Sequence, residues 1–339
     1  MMWEECKDLQ EYIVGLRRDL HQIPEVGFDL PETQAYVTAE LDKIGIPYVC
    51  SEKDSSIIAT IEGSKAGKTV CLRADMDALP VTEATGLPFS SRHEGCMHAC
   101  GHDAHTACLL GAAKLLAEHR TAFGGEVRFV FQPAEEVGQG AKPFVEAGVL
   151  DGADRVFGLH SAPDLPVGTV GLKPGLNNAA VDLFHISVHG EPAHVAEPQL
   201  GVDALYIASQ TVVALQALVT RLTSPVEPVI IGVGKLHAGT TYNALAGSAV
   251  LEGTTRTVSQ ESRERVREQI ARTARNIAEI YGGTAEVQWT DITPALVNDP
   301  QACREAAAAA EALGGGVRVV ADRSLSLCGD NFAEYLLHT

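Results

Sequence analysis

Short apolar runs alternate with helical spacing along the first half of the chain. VCLRA (70–74), EVRFVFQ (126–132) and RVFGLH (155–160) are short and apolar, as buried strands are. Between them, about Ala104–His119 (AHTACLLGAAKLLAEH) and about Gly140–Ala147 read as helices. Strands separated by helices predict βαβ units and a mostly parallel sheet covered on both faces.

The pattern changes after the Pro/Gly-containing stretch Val167–Gly175. Val181–His189 reads as a strand, about Gly201–Leu222 as a long apolar helix and Val229–His237 as a strand. Ser248–Thr257 is another strand, Gln260–Tyr281 a charged amphipathic helix, and Thr284–Trp289 a last strand. The order β-α-β-β-α-β is the ferredoxin-like, split-βαβ arrangement. After about Asp291 the chain returns to the first pattern, with a helix at about Gln301–Leu313, a strand at Val317–Val320 and a helix start near Asn331–Leu337. The expected architecture is α/β: a catalytic domain of 1–176 plus 291–339 with a mostly parallel sheet, and an inserted ferredoxin-like (βαββαβ) domain at 177–290.

Composition narrows the function. The 339 residues suit two domains. With 26 Lys+Arg against 44 Asp+Glu the formal charge is −18, which excludes nucleic acid and an anionic membrane as partners. No run of 18 uncharged apolar residues occurs, and MMWEECKDLQ does not read as a secretory signal. The 8 Cys are scattered without a CxxC, so reduced thiols in a cytoplasmic protein are expected.

The chemistry gathers at strand ends. VCLRA is followed by Asp75 and Asp77, EVRFVFQPA by Glu135 and Glu136, and RVFGLH ends in His160. Open α/β sheets place their ligand sites at such ends. The densest cluster is His98-Ala-Cys100-Gly-His102-Asp103-Ala-His105, just before an apolar helix. One reading is a buried structural Cys with His and Asp as helix caps. The other joins Cys100, His102, Glu136 and His160 into a transition-metal donor set and leaves Glu135 free as a base. A divalent ion lowers the pKa of its water to roughly 7 and polarises a carbonyl. A glutamate then moves the proton to the leaving amine.

The segments RRDLHQIPEVGF (17–28), LRADMDALPV (72–81), MHACGHDAH (97–105), FVFQPAEE (129–136), FGLH (157–160) and EGTTRT (252–257) carry a family resemblance. They are similar to the metal-dependent amidohydrolase branch of the aminoacylase/carboxypeptidase metallopeptidase family. That branch holds N-acyl-amino-acid amidohydrolases, hippurate hydrolases and auxin-conjugate hydrolases. The resemblance implies Cys100, bridging two ions, with His102, Glu136 and His160 as metal ligands, Glu135 as general base and Asp77 as the carboxylate that orients the site. Asp75 stands where more distant relatives carry a metal-binding His. In the inserted domain, His194 resembles a lid histidine that contacts the substrate carbonyl, and Asn243 and Arg256 resemble substrate-binding positions. The other histidines (21, 93, 119, 185, 189) read as structural or surface residues.

What the resemblance implies is hydrolysis of an N-acyl amino acid or related small amide, with two divalent ions per subunit in the complete protein. Zinc or manganese, with nickel or cobalt also possible, and a homodimer through the lid domain are implied too. The chain departs from the family at Cys328-Gly329-Asp330-Asn331-Phe332, where relatives read G-S-E-D-F, and at Tyr242–Gly247, where they read Y-N-x-I-P-D. Relatives continue through a strand and a histidine that ligates the second metal, whereas this sequence stops at Thr339, and His338 falls too early to be that ligand. A shortened chain and a site lacking one ligand are both compatible with this. Two other readings stay open: a non-catalytic relative that binds ligand in the cleft, and a thiol hydrolase with Cys100 as nucleophile.

Overall fold

The computed structural model describes residues 2–338. The chain divides into two compact units, one built from Met1–Gly175, Val297–Ser324 and Asp330–Thr339, the other from Leu176–Leu296 and Leu325–Gly329.

The first unit is organised by a five-stranded sheet of β1 (Tyr48–Cys50), β2 (Ile57–Glu62), β3 (Thr69–Asp75), β4 (Glu126–Gln132) and β5 (Arg155–Gly158). Its order is β1-β2-β4-β3-β5. Strands β3, β4 and β5 pair in parallel, and β2 is antiparallel to both β4 and β1. Four of the five strands therefore run one way and β2 runs against them. In β2 the alternating Ile57, Ala59 and Ile61 are buried, and they meet Phe129 and Phe131 of β4 in one core. Helices Gln10–His21, Pro31–Ile44 and His102–Glu118 close that face with Leu20, Leu41 and Leu110. Each such side chain contributes about 2 kcal/mol by leaving water. The register pairs Asp75 with Gln132 and Arg73 with Gly158, so the carboxyl ends of β3, β4 and β5 share one rim.

Two boundaries differ from expectation in ways that matter. Strand β5 stops at Gly158, so His160 sits on the loop beyond it. The long helix begins at His102, not near Ala104, because Gly101 turns the chain at φ 100°. A Cβ on Gly101 would approach Ser161 Oγ to 2.7 Å, so glycine is required on both counts. Asp103 is not a cap. Its carboxylate accepts from His21 Nδ1 at 2.6 Å and lies 2.9 Å from Arg17 Nε.

Short strands β6 (Thr169–Gly171) and β7 (Gly175–Asn178) lead out of the sheet, and β6 pairs in parallel with Arg318–Val320. The second unit holds β8 (Ala180–His189), β9 (Ile230–Ala238), β10 (Ser248–Thr257) and β11 (Thr284–Thr293), in the order β11-β8-β10-β9 with antiparallel pairing throughout. Helices Ala204–Leu222 and Gln260–Ile280 connect them in the βαββαβ order. In the latter helix Val266, Ile270, Ala274 and Ala278 fall four apart and are buried, and Ser259 caps its start through the Ser262 N–H. Helix Ala204–Leu222 is long and apolar enough to cross a membrane. Here its Ile207, Ala208, Leu215 and Leu218 pack into the core of the unit.

The same unit contains a buried ion cluster. Asp182 on β8 accepts from Arg263 Nε at 3.0 Å and from Arg267, both on the amphipathic helix. Burial alone would raise the Asp182 pKa, but the two guanidinium groups outweigh it and hold it below the ordinary value. A depressed carboxylate pKa stabilises the fold above the unfolded value of about 3.9 and loses that contribution as pH falls through the folded value. Asp182→Ala is expected to cost about 3 kcal/mol, because the buried Arg263 loses its close partner and keeps only Asp291 at 3.7 Å. Urea unfolding at pH 7 checks this, and the gap to wild type should shrink below about pH 4.

Candidate metal centre

The rim of the first unit is shaped by one carboxylate. Asp77, fully buried beyond the end of β3, accepts the Glu135 N–H through Oδ1 at 2.9 Å and the Glu136 N–H through Oδ2 at 3.1 Å. Its own carbonyl accepts the His102 Nδ1–H at 2.8 Å. Asp77 thereby orients both glutamates and the histidine. Just before the glutamates, Ala134 turns the chain at φ 56°, the one positive-φ non-glycine among the described residues. Such backbone costs about 1 kcal/mol and persists where its surroundings demand it.

With Nδ1 occupied, His102 aims Nε2 into the rim. That atom lies 3.7 Å from Glu136 Oε1, 3.7 Å from Asp75 Oδ2 and 4.0 Å from Glu135 Oε2. His102 Nε2 and Glu136 Oε1 are both buried and neither has a hydrogen-bond partner. Two orphaned donor atoms about one tetrahedral edge apart fit a cation set between them. Cys100 Sγ lies 3.3 Å from His160 Nε2, while His160 Nδ1–H donates to the Ser161 carbonyl at 2.8 Å. Three groups of donors can each close on one ion: Cys100 with His102 and His160; His102 with Glu135 and Glu136; and Asp75 with His102 and His105. His102 belongs to all three.

The electrostatics agree with that geometry. Burial alone would depress the His102 pKa, yet the Asp75 carboxylate and the hydrogen bond to Asp77 push it up to about 12. The same negative potential favours a divalent cation. His160 is pushed up to about 9, first by Cys100 Sγ. Burial, reinforced by Asp330 and opposed by Arg73, lifts Glu135 to about 7. Glu136 is also raised, chiefly by burial.

The remaining candidates stand elsewhere. His194 and Asn243 are exposed on neighbouring segments of the second unit, where the Val195 N–H donates to the Asn243 carbonyl at 3.0 Å. Arg256, on β10, spends its Nη1 on Thr254 Oγ1 and the Thr255 carbonyl. Sequence reasoning overlooked the pairing of Asp75 with His105, whose Nδ1–H donates to Asp75 Oδ1 at 2.6 Å. The signal was present, since His105 follows His102 by one helical turn and shares its face.

Residues 71–339 match the family model described as peptidase family M20/M25/M40. The chain is similar to an N-acetyl-L-cysteine deacetylase of Bacillus subtilis, 43% identical over 97% of this chain and 79% of that protein. It is also similar to an N-acyl-L-amino acid amidohydrolase of Geobacillus stearothermophilus, 38% identical over 85% of this chain and 80% of that protein. Among solved structures it resembles a dinuclear metal binding peptidase of the M20 family from Bacillus subtilis, with TM-score 0.84 and 38% identity over 98% of this chain and 86% of that one.

Proposed function

The chain belongs to peptidase family M20/M25/M40, and from that premise we propose roles for the residues of the rim. The protein is a metal-dependent amidohydrolase that cleaves the amide bond of N-acyl amino acids, giving a carboxylate and a free amino acid. In this reading Cys100, His102, Glu136 and His160 are the metal ligands, and zinc or manganese is the expected ion, with two per subunit expected in the complete protein. One observation carries it: the buried, unpartnered His102 Nε2 and Glu136 Oε1 face each other across 3.7 Å. A divalent ion held there supplies Lewis acidity to a carbonyl and to a water.

The chain's own groups do the rest. Glu135 Oε1 is held by the Asn331 N–H at 3.1 Å, which leaves Oε2 to take a proton from water and pass it to the departing amine. Asp77 keeps both glutamates in place and fixes which ring nitrogen His102 presents. His194 is the proposed contact to the substrate carbonyl, and Asn243 and Arg256 the proposed substrate contacts. The Arg256 fork suits a substrate carboxylate.

A homodimer through the second unit and a cytoplasmic location complete the proposal. Supporting the dimer, helix Ala204–Leu222 exposes Leu205, Tyr206, Val213 and Leu222; a monomer by light scattering at micromolar concentration overturns it. Eight free cysteines agree with a reducing compartment.

The test is metal removal. Dialysis against a chelator should abolish amine release from N-acetyl amino acids, and zinc, manganese, nickel or cobalt added singly should restore it. The Cys100–His160 contact at 3.3 Å also permits a thiol nucleophile. That reading predicts activity that survives chelation and is lost to iodoacetamide whether or not metal is bound.

A further inference from the structure

The assignment of Glu135 as base leaves a buried cation unexplained. Arg73 lies in the middle of β3 with its side chain 2% exposed. A lone guanidinium in a parallel strand is costly unless every arm is used, and here each arm is. Nε donates to Gln132 Oε1 at 2.9 Å, Nη1 to Asp75 Oδ2 at 2.5 Å and Nη2 to Asn331 Oδ1 at 2.8 Å. Asp330 lies 3.9 Å from Nη1.

Two of these contacts lead back to the rim. Asn331, fixed through its side-chain oxygen by Arg73 and by Gln132 Nε2 at 3.0 Å, is the residue whose backbone N–H holds Glu135 Oε1. Its Nδ2 is buried without a partner, so the amide is turned to serve the guanidinium at the expense of its own donor. The other path runs through Asp75. Its Oδ1 accepts from His105 Nδ1, and His105 Nε2 accepts the Ser161 N–H at 2.8 Å. Ser161 is the neighbour of His160, and its hydroxyl donates to the Cys100 carbonyl at 2.9 Å.

We propose that Arg73 is a positioning residue for the reaction. Its fork joins β3 to the segment of Asn331 that aims Glu135. A compact ammonium cannot replace it, because three separate acceptors must be met at once by one planar group. The inference rests on Glu135 being the base.

The experiment uses the metal-loaded full chain and N-acetyl-L-cysteine as probe substrate. Arg73→Lys, Arg73→Met and Asn331→Ala are compared with wild type for kcat, KM, metal per chain and melting temperature. The expected result is a kcat lower by about 10- to 100-fold in all three, with KM within about threefold and metal per chain unchanged. The double variant Arg73→Met with Asn331→Ala should be no slower than the slower single variant, since both break one path. If Arg73→Met does not fold, Asn331→Ala decides. A folded, loaded variant with kcat within twofold of wild type overturns the inference. So does a loss that excess metal repairs, or multiplicative effects in the double variant. An inactive wild type would instead defeat the functional reading itself.

Discussion

Glu135→Gln is expected to lower kcat by about 10³- to 10⁴-fold, at the upper end of what a positioned acid–base group contributes. The substitution is nearly isosteric. The amide oxygen still accepts the Asn331 N–H, made at 3.1 Å in the wild type, and the backbone N–H still donates to Asp77. What is lost is the ability to take a proton. Burial, with help from Asp330, lifts the Glu135 carboxyl to about 7, close to the pH at which one group best accepts and then returns a proton. Metal per chain and KM should therefore stay near wild type while turnover collapses. Steady-state rates beside metal analysis check it. A variant with more than a tenth of wild-type kcat would sink the assignment of Glu135 as base.

Why some of this was legible from sequence and some was not follows from where each interaction closes. Parallel strands bring their carboxyl ends to one rim, so Asp77, Glu135 and Glu136 could be placed together from strand spacing alone. The βαββαβ order was readable because the helix Gln260–Ile280 repeats apolar positions every four residues while Ser248–Thr257 does not. The N-terminal helices and β2 went unread. The reversed direction of β2 is set by its pairing with β4, and nothing within IIATIE records it. The role of Arg73 has no signal within VCLRA, because its partner Asn331 lies 258 residues away. The left-handed Ala134 has no sequence signal at all, since alanine is chosen there in spite of its backbone preference.

His102→Ala should do more than Glu135→Gln, because it removes the residue shared by every candidate ion site among the described residues. His102 is the member common to all three donor groups, and its Nε2 faces Asp75, Glu135 and Glu136 within 4.0 Å. The expected protein carries less than about a tenth of the wild-type metal and releases amine at background rate, and added metal does not restore it. The metal-free proteins should differ as well. In wild type the His102 pKa is raised to about 12 against the drag of burial, mainly by Asp75, so the protonated ring offsets the buried carboxylates. A raised histidine pKa adds stability that is complete below the unfolded value of about 6.5 and fades as pH climbs towards the folded value. Metal-free His102→Ala should thus melt below metal-free wild type, with the largest gap at pH 6 and a narrower one at pH 9. Full metal occupancy in His102→Ala would remove this residue from the ligand set. Equal melting temperatures of the two metal-free proteins at pH 6 would show that the ring is not charged against Asp75.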